Sequence, residues 1–84
     1  MQVSIDVFVG RRLRGRRRLL GLTQTQVANA AGVRFQQIQK YESGLNRIPA
    51  GRLWALSNAL GVPVTYFFEG LDVAITTRPD EWDD

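Results

Sequence analysis

The 84-residue sequence predicts a compact all-α domain of five helices. Three observations carry that reading. Apolar residues recur at helical spacing rather than in alternation. Glycines stand where the periodic runs stop, at Gly21, Gly32, Gly44, Gly61 and Gly70. Two of the runs are short and are joined by a tight turn containing Gly32, an arrangement that sets two helices at roughly 90–120° to one another.

The first helix is expected over residues 6–20. Val9, Leu13 and Leu20 share one face, extended by Leu19, and Gly21 ends the run. Six arginines fall between Arg11 and Arg18. At about 100° per residue they spread around the helix, so only one or two can reach a common ligand. Gly15 in mid-helix should cost about 1 kcal/mol relative to alanine. The second helix, 24–31, opens on Thr23-x-x-Gln26, the pattern of a reciprocal capping box. Val27, Ala28 and Ala31 line its inner side, and Ala28 is small enough to admit a closely crossing helix. Gly32 takes the turn and Val33 plugs the corner. The third helix, 35–43, buries Ile38 and Tyr41, leaves Phe35, Gln36, Gln37, Gln39 and Lys40 for other faces, and stops at Gly44. Pro49 opens a fourth helix in which Leu53, Leu56 and Leu60 repeat at i, i+3 and i+7. Pro63 starts a short fifth helix, Val64 to Glu69, with Tyr66, Phe67 and Phe68. Residues 1–70 thus form one domain. Residues 71–84 read as a short, flexible acidic tail, in which 71–77 have some β character and 78–84 are expected to be disordered.

Composition excludes several classes of function. There is no cysteine and no histidine, so disulfides, thiolate metal sites and the usual neutral-pH general base are absent. The acids are scattered or lie near the end of the chain, which argues against a carboxylate metal cage. No catalysis, metal or cofactor is expected, and no small-molecule site is evident. No apolar run approaches the ~20 residues that span a bilayer. Nothing at the N-terminus reads as a signal peptide, so a cytoplasmic location is expected. The net charge of +3 divides unevenly: +7 over residues 1–70 and −4 over 71–84. A basic body suits a polyanion.

The motif set Gly10, Leu13, Arg14, Arg17, Gly21-Leu22-Thr23-Gln24, Val27-Ala28, Ala31-Gly32-Val33, Ile38, Glu42, Gly44, Pro49, Leu53, Leu56 and Leu60-Gly61-Val62 resembles the Cro/repressor-type, or xenobiotic-response-element-like, helix-turn-helix regulators of bacteria. The resemblance covers about residues 8–68. It implies a five-helix repressor-like fold with the helix-turn-helix at helices two and three. It also implies sequence-specific binding of double-stranded DNA in transcriptional regulation, with the third helix in the major groove, as a homodimer on a two-fold operator. Carried over by position, Phe35, Gln36 and Lys40 face bases, and Thr23, Gln24, Arg34, Gln37, Ser43 and Arg47 face phosphates. Their chemistry is suitable: glutamine pairs with adenine, lysine reaches guanine and an apolar ring packs on a thymine methyl. A helix N-terminus such as that at Gln24 suits an anion. For Phe35, a packing role against the second helix or Val33 is the alternative. Arg17 and Glu42 match positions that form an ion pair between the first and third helices.

Three residues depart from the pattern. Arg34 stands where serine or threonine usually caps the third helix. Arg16 stands where an apolar residue is common and must lay its stem along the surface. Phe35 is large for a groove position. Trp54, Tyr66, Phe67 and Phe68 are more aromatic surface than so small a core can hide. Ile48, Trp54, Tyr66 and Phe67 are therefore the expected dimer interface, with a strand at 71–77 as a further contact. The competing function is the same fold used mainly for protein contact, as an antitoxin-like module.

Overall fold

The structure is a computed structural model that describes residues 4–71. It contains α1 (Ile5–Leu19), α2 (Gln24–Ala31), α3 (Phe35–Ser43), α4 (Ala50–Leu60) and a closing 3₁₀ turn (Val64–Phe68). No helix among the described residues is long and apolar enough to cross a membrane. The readings for 72–77 and 78–84 lie outside the described residues; Leu71, the last described, has helical backbone.

Local chemistry accounts for the boundaries. Ser4 caps α1 by accepting from Val7 N, with Asp6 in the first turn and Arg16, Arg17 and Arg18 in the last, the arrangement that complements the helix dipole. The capping box at α2 is complete: Gln26 N donates to Thr23 Oγ1 at 3.0 Å, and Thr23 N donates to Gln26 Oε1 at 2.8 Å. Gly32 adopts φ 69° and hands the chain to Val33, whose N–H donates to the Ala28 carbonyl at 2.9 Å. Arg34 makes no side-chain cap bond to α3.

One core serves every element. Val9 and Leu13 from α1, Val27 and Ala28 from α2, Ile38 and Tyr41 from α3, Leu53, Leu56 and Leu60 from α4, and Phe67 from the 3₁₀ turn are buried together. Leu22, Ala31 and Val33 pack against them.

Two expectations need correction. Leu20 shares a face with Leu13 but lies beyond the reach of the core, and Leu19 and Leu20 are 75% and 43% exposed. The helix outruns its packing partners; Leu22, folded back after Gly21, fills the position instead. The fifth element is also not an α-helix: the elements among the described residues are four α-helices and a 3₁₀ turn. Pro63 fixes its start, and Tyr66 N donates to the Pro63 carbonyl three residues back. The Tyr66 carbonyl in turn accepts from Glu69 N and from the Arg12 side chain.

α1 and α3 meet backbone to backbone. A Cβ on Gly10 would stand 2.2 Å from the Tyr41 carbonyl oxygen, and one on Gly44 2.7 Å from Val7 Cα. Gly44 also holds φ 76°. These two glycines set the depth at which α3 sits on the body.

Candidate nucleic-acid interface

α3 presents an outer face whose centre carries Gln36 and Lys40, both exposed. At about 100° per residue these two project nearly together, with Phe35, Gln39 and Ser43 on one flank and Gln37 and Arg34 on the other. Ile38 and Tyr41 anchor the opposite side in the core.

The helix is fixed by a polar junction of three helices. Glu42 of α3 accepts from Arg17 of α1 through two bonds, Nε to Oε2 at 2.6 Å and Nη2 to Oε1 at 3.0 Å. Arg17 Nη1 donates to the Leu22 carbonyl at 2.9 Å, and Gln24 Nε2 of α2 donates to Glu42 Oε1 at 3.0 Å. The side chains of Glu42 and Arg17 are only 4% and 13% exposed. Such a planar fork on a carboxylate constrains angle as well as distance. The junction holds α3 in a set orientation to both α1 and the N-terminus of α2.

An open cleft of about 590 Å³ runs along one flank of α3, lined among others by Arg14, Thr23, Gln24, Phe35, Gln39 and Ser43. Thr23, Gln24 and Thr25 at the N-terminus of α2 line this region, and a helix N-terminus favours an anion. The side-chain amide nitrogen of Gln24 donates to Glu42. The Ser43 hydroxyl donates to the Lys40 carbonyl and accepts from Leu45 N, so it finishes α3 as well as lining the cleft. Phe35 lies on the rim of the cleft, part exposed and outside the core cluster. Arg34 is exposed, Gln37 half-buried, and Arg47 lies on the surface 3.4 Å from Asp6.

Several arginines do work that the sequence reading missed. Arg12 lies 3.9 Å over the Tyr66 ring, donates to the Tyr66 carbonyl at 3.0 Å and reaches Glu69 at 3.4 Å. Arg16 donates to the Leu60 carbonyl at 3.0 Å, placing a cation at the C-terminus of α4. Arg52 donates to the Gly32 carbonyl at 3.0 Å and ties α4 to the turn. Arg12 and Arg16 flank the Val9–Leu13 stripe, a position that could have marked them. Arg52 has no such local signal, because its partner is 20 residues away.

The expected interface residues are not all on the surface. Phe67 is 0% exposed and belongs to the core, so it cannot meet a second chain. A 3₁₀ turn rotates the chain by about 120° per residue, which sends three successive aromatics in three directions. Phe67 enters the core, half-buried Tyr66 packs under Arg12, and Phe68 remains on the surface. Ile48 is half-buried at the core edge, whereas Trp54 is 63% exposed.

A model of the helix-turn-helix family matches residues 13–67, which span α2, the turn, α3 and their supports. The chain belongs to the helix-turn-helix family. This helix-turn-helix chain is 52% identical over 68 residues to an HTH-type transcriptional regulator of Sinorhizobium fredii, covering 81% of itself and 48% of that protein. It is 53% identical over 68 residues to a transcriptional regulator in the ATPase CF(0) region of Rhodospirillum rubrum, covering 81% and 63% respectively. The chain spans about half the length of the Sinorhizobium relatives it matches. Among solved structures it resembles the restriction-modification controller protein C.AhdI from Aeromonas hydrophila, with a TM-score of 0.72 and 27% identity over 74% of this chain and 94% of that one. The clp gene regulator ClgR of C. glutamicum shares the fold, with a TM-score of 0.81 at 21% identity, covering 92% of this chain and all of that one.

Proposed function

We propose that this chain binds double-stranded DNA sequence-specifically, as a homodimer on a two-fold operator, and regulates transcription. The observation that carries the reading is the presentation of α3. Its exposed Gln36 and Lys40 stand on a helix held by the Arg17–Glu42–Gln24 junction, beside the N-terminus of α2. In this reading Gln36, Lys40 and Phe35 contact base edges in the major groove. Thr23, the Gln24 backbone, Arg34, Gln37, Ser43 and Arg47 contact phosphates and fix the register. The names of the similar regulators support the same reading.

One such helix reads only a few base pairs. A dimer doubles the site, with half-sites about 34 Å apart. The exposed Trp54, with Ile48 and Tyr66 near the core edge, supports a dimer face away from α3.

Selection from a random duplex pool tests the proposal, and a two-fold consensus is the expected product. Gln36→Ala and Lys40→Ala should each weaken binding to that consensus by about 1–3 kcal/mol and relax selection at one position per half-site. No enrichment of any duplex by the wild type would overturn it.

A further inference from the structure

We infer that Arg52 of α4, together with Arg34, forms a second seat for a DNA phosphodiester, on the flank of α3 opposite the Thr23–Gln24 cleft. The inference rests on the DNA-binding reading and extends it to a residue outside the helix-turn-helix.

The major groove is about 12 Å wide and an α-helix with its side chains about 10–12 Å across, so a helix in the groove has a phosphate strand along each flank. On one flank lies the cleft of Thr23, Gln24 and Ser43. On the other lies a depression of about 460 Å³ lined by Val33, Arg34, Gln36, Gln37, Lys40 and Arg52. It holds three cations and no carboxylate. The described residues contain three acids, Asp6, Glu42 and Glu69, and each is already paired, with Arg47, Arg17 and Arg12 respectively. No acid is left among them to neutralise Arg34 or Arg52.

Arg52 is also positioned in advance. Its Nη1 donates to the Gly32 carbonyl at 3.0 Å, which anchors the guanidinium at the turn. A guanidinium has five N–H donors in a rigid fork, so one bond to a carbonyl leaves donors for a phosphate oxygen. Arg34 is exposed and makes no cap bond to α3, so its charge is available at the same depression. The poor helix cap at Arg34 thereby acquires a use: a serine there would complete α3 but contribute no charge.

The test is the salt dependence of binding to a 30-base-pair mixed-sequence duplex, followed by fluorescence anisotropy between about 50 and 200 mM salt, because each neutralised phosphate contributes about −0.9 to the slope of log K against log salt. Arg52→Gln and Arg34→Gln should each reduce the slope by about 0.9 per chain. Arg52→Lys should keep the slope, since it keeps the charge. Loss of the Gly32 tether alone would lower thermal stability in both Arg52 variants and leave both slopes at the wild-type value. Wild-type slopes in Arg52→Gln and Arg34→Gln, or equal losses of slope in Arg52→Gln and Arg52→Lys, would overturn the inference. If Arg52→Gln melts near the assay temperature, all titrations are run below its melting transition, so that the comparison of Arg52→Gln with Arg52→Lys stands. A wild type that binds no duplex at all would instead remove the DNA-binding reading itself.

Discussion

Replacing Glu42 with alanine should be among the most damaging single changes in α3. The Glu42 carboxylate accepts three hydrogen bonds, two from Arg17 and one from Gln24. Alanine would leave the guanidinium of Arg17, whose side chain is 13% exposed, with the Leu22 carbonyl as its remaining partner. Breaking a buried pair by removing one partner costs about 3–5 kcal/mol. The neighbouring cleft is open to water, which places the loss near about 3 kcal/mol. A domain of this size shifts its melting temperature by about 4–8 °C per kcal/mol, so a drop of about 12–24 °C follows. Circular dichroism melts of Glu42→Ala against wild type measure it. Arg17→Met with Glu42→Leu should lose less than either single variant, because no charge is left stranded. A Glu42→Ala melting temperature within about 3 °C of wild type, the scale of an ordinary surface change, would refute the reasoning.

Two further comparisons use the same assay. Gly10→Ala should destabilise and displace α3, because its Cβ meets the Tyr41 carbonyl at 2.2 Å, whereas Gly15→Ala meets nothing within 4 Å and should gain about 1 kcal/mol. Equal melting temperatures for the two variants would count against the close approach of α1 and α3. Phe67→Ala should cost about 3–5 kcal/mol of stability, and Trp54→Ala about 0.5 kcal/mol or less. Sedimentation should show Trp54→Ala weakening self-association; an unchanged dimer would move the interface elsewhere.

Much of this protein is written locally. The Thr23-x-x-Gln26 box, the glycines after α2 and α3, and the Leu53–Leu56–Leu60 repeat fix where helices start, stop and face, because capping and periodicity act over a few residues. That is why the bounds of α2 and α3 are legible without a structure. The exposed face of α3 follows from the same periodicity once Ile38 and Tyr41 are buried.

What the sequence by itself did not determine depends on contacts between distant residues. Leu20 has the right spacing for the core, but only the tertiary arrangement shows that the core ends before reaching it. Tyr66, Phe67 and Phe68 are alike in the sequence; the tightness of a 3₁₀ turn, and what packs against it, decides which is buried. The arginines are alike too. Arg12, Arg16 and Arg52 are distinguished by carbonyls 20 to 54 residues away that accept their hydrogen bonds. A charged side chain is long enough to serve solvent, a helix end or a ligand, and its sequence neighbours do not choose among them. The fold chooses, because a carbonyl with a lone pair to spare at a helix end or turn is a partner only once packing has brought it within reach.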